Sequence, residues 1–572
     1  MDKTALSFTD RSALLTEFKL TQLDKNAADN KQQQWDVIVV GGGIVGAGIL
    51  QEATRRGLKT LLIEQKDFAW GTSSRSSKMV HGGLRYVAQG DLKLTKHSLA
   101  ERERLLKEAP GLINRMGYYF VIRQWQFPGR FIMSTLLRLY DYLAGIKDHQ
   151  FFDHKKLLDK FPTLAPERLK GACYYTDSVV DDARLVMRVL QESVQSGAQV
   201  LNYVKAKALI KDPKTKQIIG VIIQDNSSKT NNSTASELIT LTSSVVINAT
   251  GAWADKLRSE VINQPRIRPL RGSHLIVAQT RLAVAGALTI LHPTDKRPVF
   301  IFPWEGVTVI GTTDLDHHEN LDHEAKISQT EVDYLLQAIT QSFPKNNITL
   351  QDVISTFSGV RPVISSDRNF STQTTNTTKA PSKERRDHAI WAENALITAS
   401  GGKLTTFRLT AIEALNAAMP WLKSNHNDKK QTTKGDHVFT HYSLAQLFKN
   451  SKHEKVWLQR LVGRYGNKAP ILLGQAKKEE HLLIKYTQFC LAECRWAIKN
   501  EAVVHLDDLL LRRTRLGLLL KNGAQELFAQ LADIFQQELG WNKTKWQDEV
   551  TRYRLIWQQS YYLPMPAKHT PD

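Results

Sequence analysis

Cysteine is scarce: Cys173, Cys490 and Cys494 are the only three in 572 residues. Three thiols cannot build a disulfide framework, and Cys490 with Cys494 lack the second Cys or His pair that a zinc site needs, so buried, unpaired thiols are expected. A long apolar run is missing too. Val37 to Leu50 is dense in glycine and Phe131 to Ile146 is broken by Arg138 and Asp141, so neither offers the ~18 to 20 apolar residues of a membrane span. The first 34 residues are polar and mixed in charge, unlike a signal peptide, and a reducing, cytosolic compartment is expected. Acidic residues are outnumbered, 57 against 77 basic, for a net charge of +20. Such a surface draws nucleic acid, anionic lipid or anionic metabolites. No RNA-binding or zinc-finger signature accompanies the charge, so no nucleic-acid partner is expected and a membrane surface is the favoured one.

What is present is an ordinary globular composition, 42% apolar and 23% charged, long enough for two to four domains. Trp35 to Val40 reads as a buried strand, Ala47 to Arg56 as a helix ended by Gly57, and Leu58 to Glu64 as a second strand, completing a βαβ unit. Ala100 to Ala109 is helical in pattern. Further strands are predicted at Ala198 to Tyr203, Ile218 to Gln224, Ser244 to Asn248, Ser273 to Ala278, Val299 to Phe302 and Thr308 to Gly311. Asp225 to Ser236 and Ser365 to Arg386 read as surface insertions, and His426 to Asp436 as a linker to a helical C-terminal domain.

Between the first strand and helix, Gly41, Gly43 and Gly46 have the G-x-G-x-x-G spacing, in which the glycines permit a sharp turn, close approach of a pyrophosphate and tight helix packing. The helix N-terminus then faces the phosphates. Glu64 ends the second strand about twenty residues on, placed for ribose hydroxyls, and its charge argues against NADP. NAD and FAD both remain. Ile247 to Gly251 (INATG) is a strand end that either lies against the cofactor or is a plain turn.

Thr72 to Tyr86 (TSSRSSKMVHGGLRY) gathers hydroxyls, His81, paired glycines and Arg85. RGSH at Arg271 to His274, FSGVRP at Phe357 to Pro362 and SGGKLTTFR at Ser400 to Arg408 likewise set a cation or histidine beside glycine, near predicted strands. GTTD at Gly311 to Asp314 adds hydroxyls at a strand end. Buried cations need partners, and an anionic ligand is the expected one.

In this order, GGGIVGAGI, GTSSRSSKMVHGGLRY, VDDARL, INATGAWAD, RGSH, IGTTD, FSGVRP and GGKLTTFR resemble the FAD-dependent, membrane-associated glycerol-3-phosphate dehydrogenase family, over about Asp36 to Arg408. DDLLLRRTRLG at Asp507 to Gly517 extends the likeness. The resemblance implies an α/β FAD-binding fold, glutathione-reductase-like, with an interleaved α+β substrate domain and a C-terminal helical domain. The expected partition is an extension over 1–34, the FAD-binding domain over 35–100, 165–255 and 385–425, the substrate domain over 101–164 and 256–384, and the helical domain over 437–572.

It also implies oxidation of sn-glycerol 3-phosphate to dihydroxyacetone phosphate, by hydride transfer to FAD and loss of the C2 hydroxyl proton, with electrons passed to a membrane quinone. The inserted segment of the family's oxygen-reducing oxidases has no counterpart here. A peripheral position on the inner face of the cytoplasmic membrane follows, and a homodimer is admitted. Arg85, His274, Thr312, Arg361, Arg386 and Lys403 match the substrate-lining positions. Thr72 and Ser73, with Ser76, Ser77 and Lys78, match flavin-contacting ones, and Gly401, Gly402, Leu404 and Thr405 match the loop at the flavin pyrimidine, where Lys403 stabilises the reduced form. The proton acceptor is left between His81 and His274, whose ordinary pKa near ~6.5 suits the task, with Arg361 as proton site or phosphate partner. Two rivals stand beside this reading. An FAD oxidase of another small amino or hydroxy acid would need a single Arg clamp, and a basic FAD-containing RNA-binding module would need base-stacking aromatics in a basic groove.

Overall fold

The computed structural model describes residues 6–23, 34–88, 90–227, 237–365, 387–422, 437–449 and 451–564. The apolar runs QWDVIVV and TLLI suit parallel strands covered on both faces. Gln34–Val40 accordingly lies between Thr60–Ile63 and Leu238–Asn248, parallel to both, with Val37 opposite Thr60 and Val245. Gln199–Leu201 extends this sheet on one side, and Leu396–Gly401 with His388–Glu393 on the other. Ile49, Leu190 and Leu415 bring helices Ile44–Arg55, Asp182–Gln195 and Phe407–Ala418 into one core with Val37 and Val39. Val204–Lys211 and Ile218–Asp225 form an antiparallel flap on the first half of Leu238–Asn248.

A second sheet has ten strands. Toward one end it pairs Ile113–Arg123 antiparallel with Leu169–Val180, and toward the other it pairs Ile267–Ala278 with both Val307–Gly311 and Val353–Ile364. Met79–Val80 and Leu169–Val180 fall in segments expected within the FAD-binding domain, yet both belong to this second sheet. Leu169–Val180 is buried along most of its length, so its sequence lacks the alternation by which a half-covered strand is recognised.

The polar leader also contains structure: Phe8–Leu23 is a helix whose Phe18 packs edge-on against Trp35 and whose Arg11 pairs with Asp225. Beyond residue 437 the described chain is helical, and Leu509, Leu516 and Phe535 share a core with Phe302, Val309 and Phe357 of the second sheet. Buried ion pairs cross the same boundary. Asp67 takes Arg512 and Arg513, Asp181 takes Arg464 and Arg515, and Arg184 pairs with Glu501 at 2.8 Å. Tyr561, near the described end, accepts the Thr356 N–H through its carbonyl at 2.8 Å. All three cysteines are free and buried. Among the described residues no helix is long and apolar enough to cross a membrane.

Candidate active site

Where Gln34–Val40 ends, Gly41 has φ +116°, and a Cβ there would lie 2.5 Å from the Ala249 carbonyl oxygen. One turn on, a Cβ at Gly46 would fall 1.9 Å from the Gly41 carbonyl oxygen. Only glycine allows strand, loop and helix to meet this closely. Gly43 caps the helix, and the Ile44 N–H donates to Ser73 Oγ at 2.9 Å. Glu64 accepts the N–H groups of Gly42 and Lys66, at 2.7 and 2.8 Å, while burial pushes its carboxyl above the usual range.

A cleft of about 430 Å³ opens over this loop. Of the expected cofactor residues, Gly41, Gly43, Glu64, Thr72, Ser73, Gly251, Gly402 and Leu404 line it, joined by Lys403. Gly46 stays beneath, closing helix onto loop. Thr405 holds the His81 backbone instead, accepting its N–H at 3.2 Å. Ser77 turns away toward the second sheet. A backbone-lined loop at a helix N-terminus, with a carboxylate at the ribose position, fits an ADP-containing dinucleotide.

On the second sheet, His274 is 1% exposed, its Nε2 lies 3.0 Å from Ser77 Oγ and its ring is stacked on Phe357 at 4.4 Å. Burial, then Arg361 and Lys78, holds this imidazole well below its usual pKa. Gly311 faces the ring so closely that a Cβ would sit 2.1 Å from His274 Cδ2. Arg361 donates to Thr312 Oγ1 and to Asp314, each at 3.1 Å, across Gly272. His274, Ser77, Thr312 and Arg361 therefore form one cluster. Lys403 is placed apart from it, donating to Ser98 Oγ at 3.0 Å with its ammonium 3.6 Å from the centre of the Tyr86 ring. Arg85 lies on the Leu84–Ala88 helix, its side chain outside the described residues, as is all of Arg386.

One inference from sequence is corrected here. The cations do not lack carboxylates: Arg271 pairs with Glu331, Arg361 with Asp314 and Arg408 with Glu101. Lys78 is likewise withdrawn from the cleft into a pair with Asp182. These carboxylates stand on other elements, so spacing along the chain gave no sign of them. Asp182 sits in the VDDARL motif, but nothing local to that motif reveals its partners. The cations by themselves thus give no argument for an anionic ligand.

Residues 36–408 match the family described as FAD dependent oxidoreductase, and residues 429–546 match the C-terminal domain of alpha-glycerophosphate oxidase. The aerobic glycerol-3-phosphate dehydrogenase of Staphylococcus haemolyticus (strain JCSC1435) is 31% identical over 504 residues, 85% of this chain and 87% of its own. Its counterpart in Staphylococcus aureus (strain USA300) is 31% identical over 520 residues, covering 87% and 89%. Among solved structures, the glycerol-3-phosphate dehydrogenase from Bacillus halodurans complexed with FAD superposes with a TM-score of 0.69 at 26% identity, covering 94% of this chain and 98% of that one. The chain belongs to the FAD-dependent oxidoreductases and, within them, to the aerobic glycerol-3-phosphate dehydrogenase family, with FAD as its cofactor.

Proposed function

We propose that the chain oxidises sn-glycerol 3-phosphate at C2 to dihydroxyacetone phosphate and passes the electrons to a membrane quinone. The observation that carries this reading is the cluster of His274, Ser77, Thr312 and Arg361. His274, neutral because its pKa is held down, takes the hydroxyl proton on Nε2 by way of Ser77, whose Oγ gives its own proton to that nitrogen and receives the substrate's. Arg361, held by Asp314 and Thr312, supplies positive charge beside the phosphate, while Lys403 presents an ammonium at the cofactor cleft. Arg85 and Arg386 remain in the proposed substrate set, and His81 remains as alternative proton acceptor and cofactor contact, on the family motif alone. FAD supplies the two-electron acceptor for the C2 hydride. The buried surroundings of His274 exclude water from the proton being moved.

The membrane half of the reading rests on the Arg130–Ala144 helix. Met133, Leu137 and Tyr140 bind it to the body, while Phe131 and Tyr142 are 83% and 81% exposed, beside Trp125 and Phe127 at 84% and 77%. Arg130 and Arg138 are exposed on the same element. Aromatics with flanking cations are the makeup of a helix lying in a lipid interface.

Anaerobic addition of sn-glycerol 3-phosphate to the purified flavoprotein is expected to bleach its visible absorption. An oxidised spectrum persisting at saturating substrate would overturn the substrate reading.

A further inference from the structure

Lys78 is fully buried, and its backbone sits in the left-handed region at φ 57°, where a long side chain is uncommon. On either side of this turn two neighbours part. Ser77 reaches His274, whereas Lys78 Nζ reaches both Asp182 oxygens at 2.9 Å and the Ser74 carbonyl at 2.6 Å. Arg515 binds the same Asp182 carboxylate and donates to the same Ser74 carbonyl at 3.2 Å. The ammonium also lies 4.6 Å from the centre of the Phe357 ring, the ring on which His274 is stacked. A charge locked in so dry a place is poorly screened and acts on its neighbours more strongly than a surface lysine does.

We propose that Lys78 is a positioning residue for the oxidation: anchored by Asp182 and Arg515, it fixes the strand of chain carrying Ser77, and its charge disfavours a second positive charge on His274. The inference rests on the reading of His274 as proton acceptor. Around the imidazole stand Arg361 with Asp314 from the second sheet, Lys78 from the loop, Asp182 from the Asp182–Gln195 helix and Arg515 from the C-terminal region. Glu331, paired with Arg271, faces the neighbouring Ser273. Burial pushes the Lys78 ammonium down to about 8, so it keeps its proton throughout the range below about 6.5 in which His274 titrates.

The test is the pH dependence of kcat/KM in FAD-loaded enzyme. Lys78→Gln is expected to move the acidic limb up by about one pH unit, with Lys78→Arg leaving it in place. A purely structural role would not separate Lys78→Gln from Lys78→Arg in the position of the limb. His274→Asn abolishes the limb if the histidine is the acceptor. A limb unmoved in Lys78→Gln, but lost in His274→Asn, overturns the role of Lys78 and spares the acceptor reading. A limb that persists in His274→Asn overturns both. If Lys78→Gln fails to hold FAD, the same upward shift in Lys78→Met with none in Lys78→Arg supports the proposal, and any other pattern overturns it.

Discussion

At the scale of single residues, the sharpest demands are steric. A methyl group on Gly46 would collide with the Gly41 carbonyl, an atom of fixed backbone, whereas one on Gly474 meets nothing within 4 Å. Gly46→Ala is therefore expected to purify without its yellow colour and Gly474→Ala to keep full flavin content, as absorbance reports. His274→Asn keeps a polar side chain at this position but loses the ring and the proton acceptor. Its kcat should fall by roughly 10² to 10⁴ with FAD content unchanged, and wild-type turnover would remove His274 from the mechanism. The glycine loop was legible in the sequence because its spacing is local, even though Gly41 also packs against Ala249. The setting of His274 was not, since Ser77, Phe357 and Arg361 reach it from separate segments. The supposed demand of the cations for a ligand failed for the same reason: Asp314, Glu331 and Asp182 come from other elements.

At the scale of elements, the Arg130–Ala144 helix shows what local sequence says and omits. Arg138 and Asp141 rule it out as a span, yet Asp141 is buried, accepting the N–H groups of Asp148 and His149, while Arg138 faces out. The exposed aromatics are what remains for a lipid surface. Replacing Phe131 and Tyr142 together by serine should abolish sedimentation with anionic vesicles and leave reduction by substrate, read with a soluble dye as acceptor, unchanged. Vesicle binding at the wild-type level would remove this helix as the docking element. Strands were legible where apolar runs meet turns, as at Gln34–Val40, and missed where polar residues break the run, as along Leu169–Val180.

Across the whole molecule, buried ion pairs tie the C-terminal helices to the sheets. Burial alone would raise the carboxyls of Asp67 and Asp181, but Arg513 with Arg512, and Arg515 with Arg464, reverse this and hold both below the usual range. A depressed folded pKa contributes stability that is complete above the unfolded value of about 3.9 and is lost as pH falls below it. The urea midpoint should accordingly drop steeply below pH 4. In Asp67→Asn, which strands two guanidinium groups in the interior, stability at pH 7 should fall by about 3–5 kcal/mol, read from the same urea curves. An unchanged midpoint would mean that Asp67 carries no part of the junction.

The bond from Thr356 to Tyr561 sets a timetable. The strand that carries Phe357 and Arg361 is clamped by a residue made about 200 positions later. At ribosomal rates of roughly 5–20 residues per second, this strand waits on the order of 10 to 40 s for its clamp. The glycines of the cofactor loop, in the first βαβ unit, are made long before. A nascent chain stalled short of Tyr561 would thus hold the parts of its flavin cradle while lacking a finished place for the substrate.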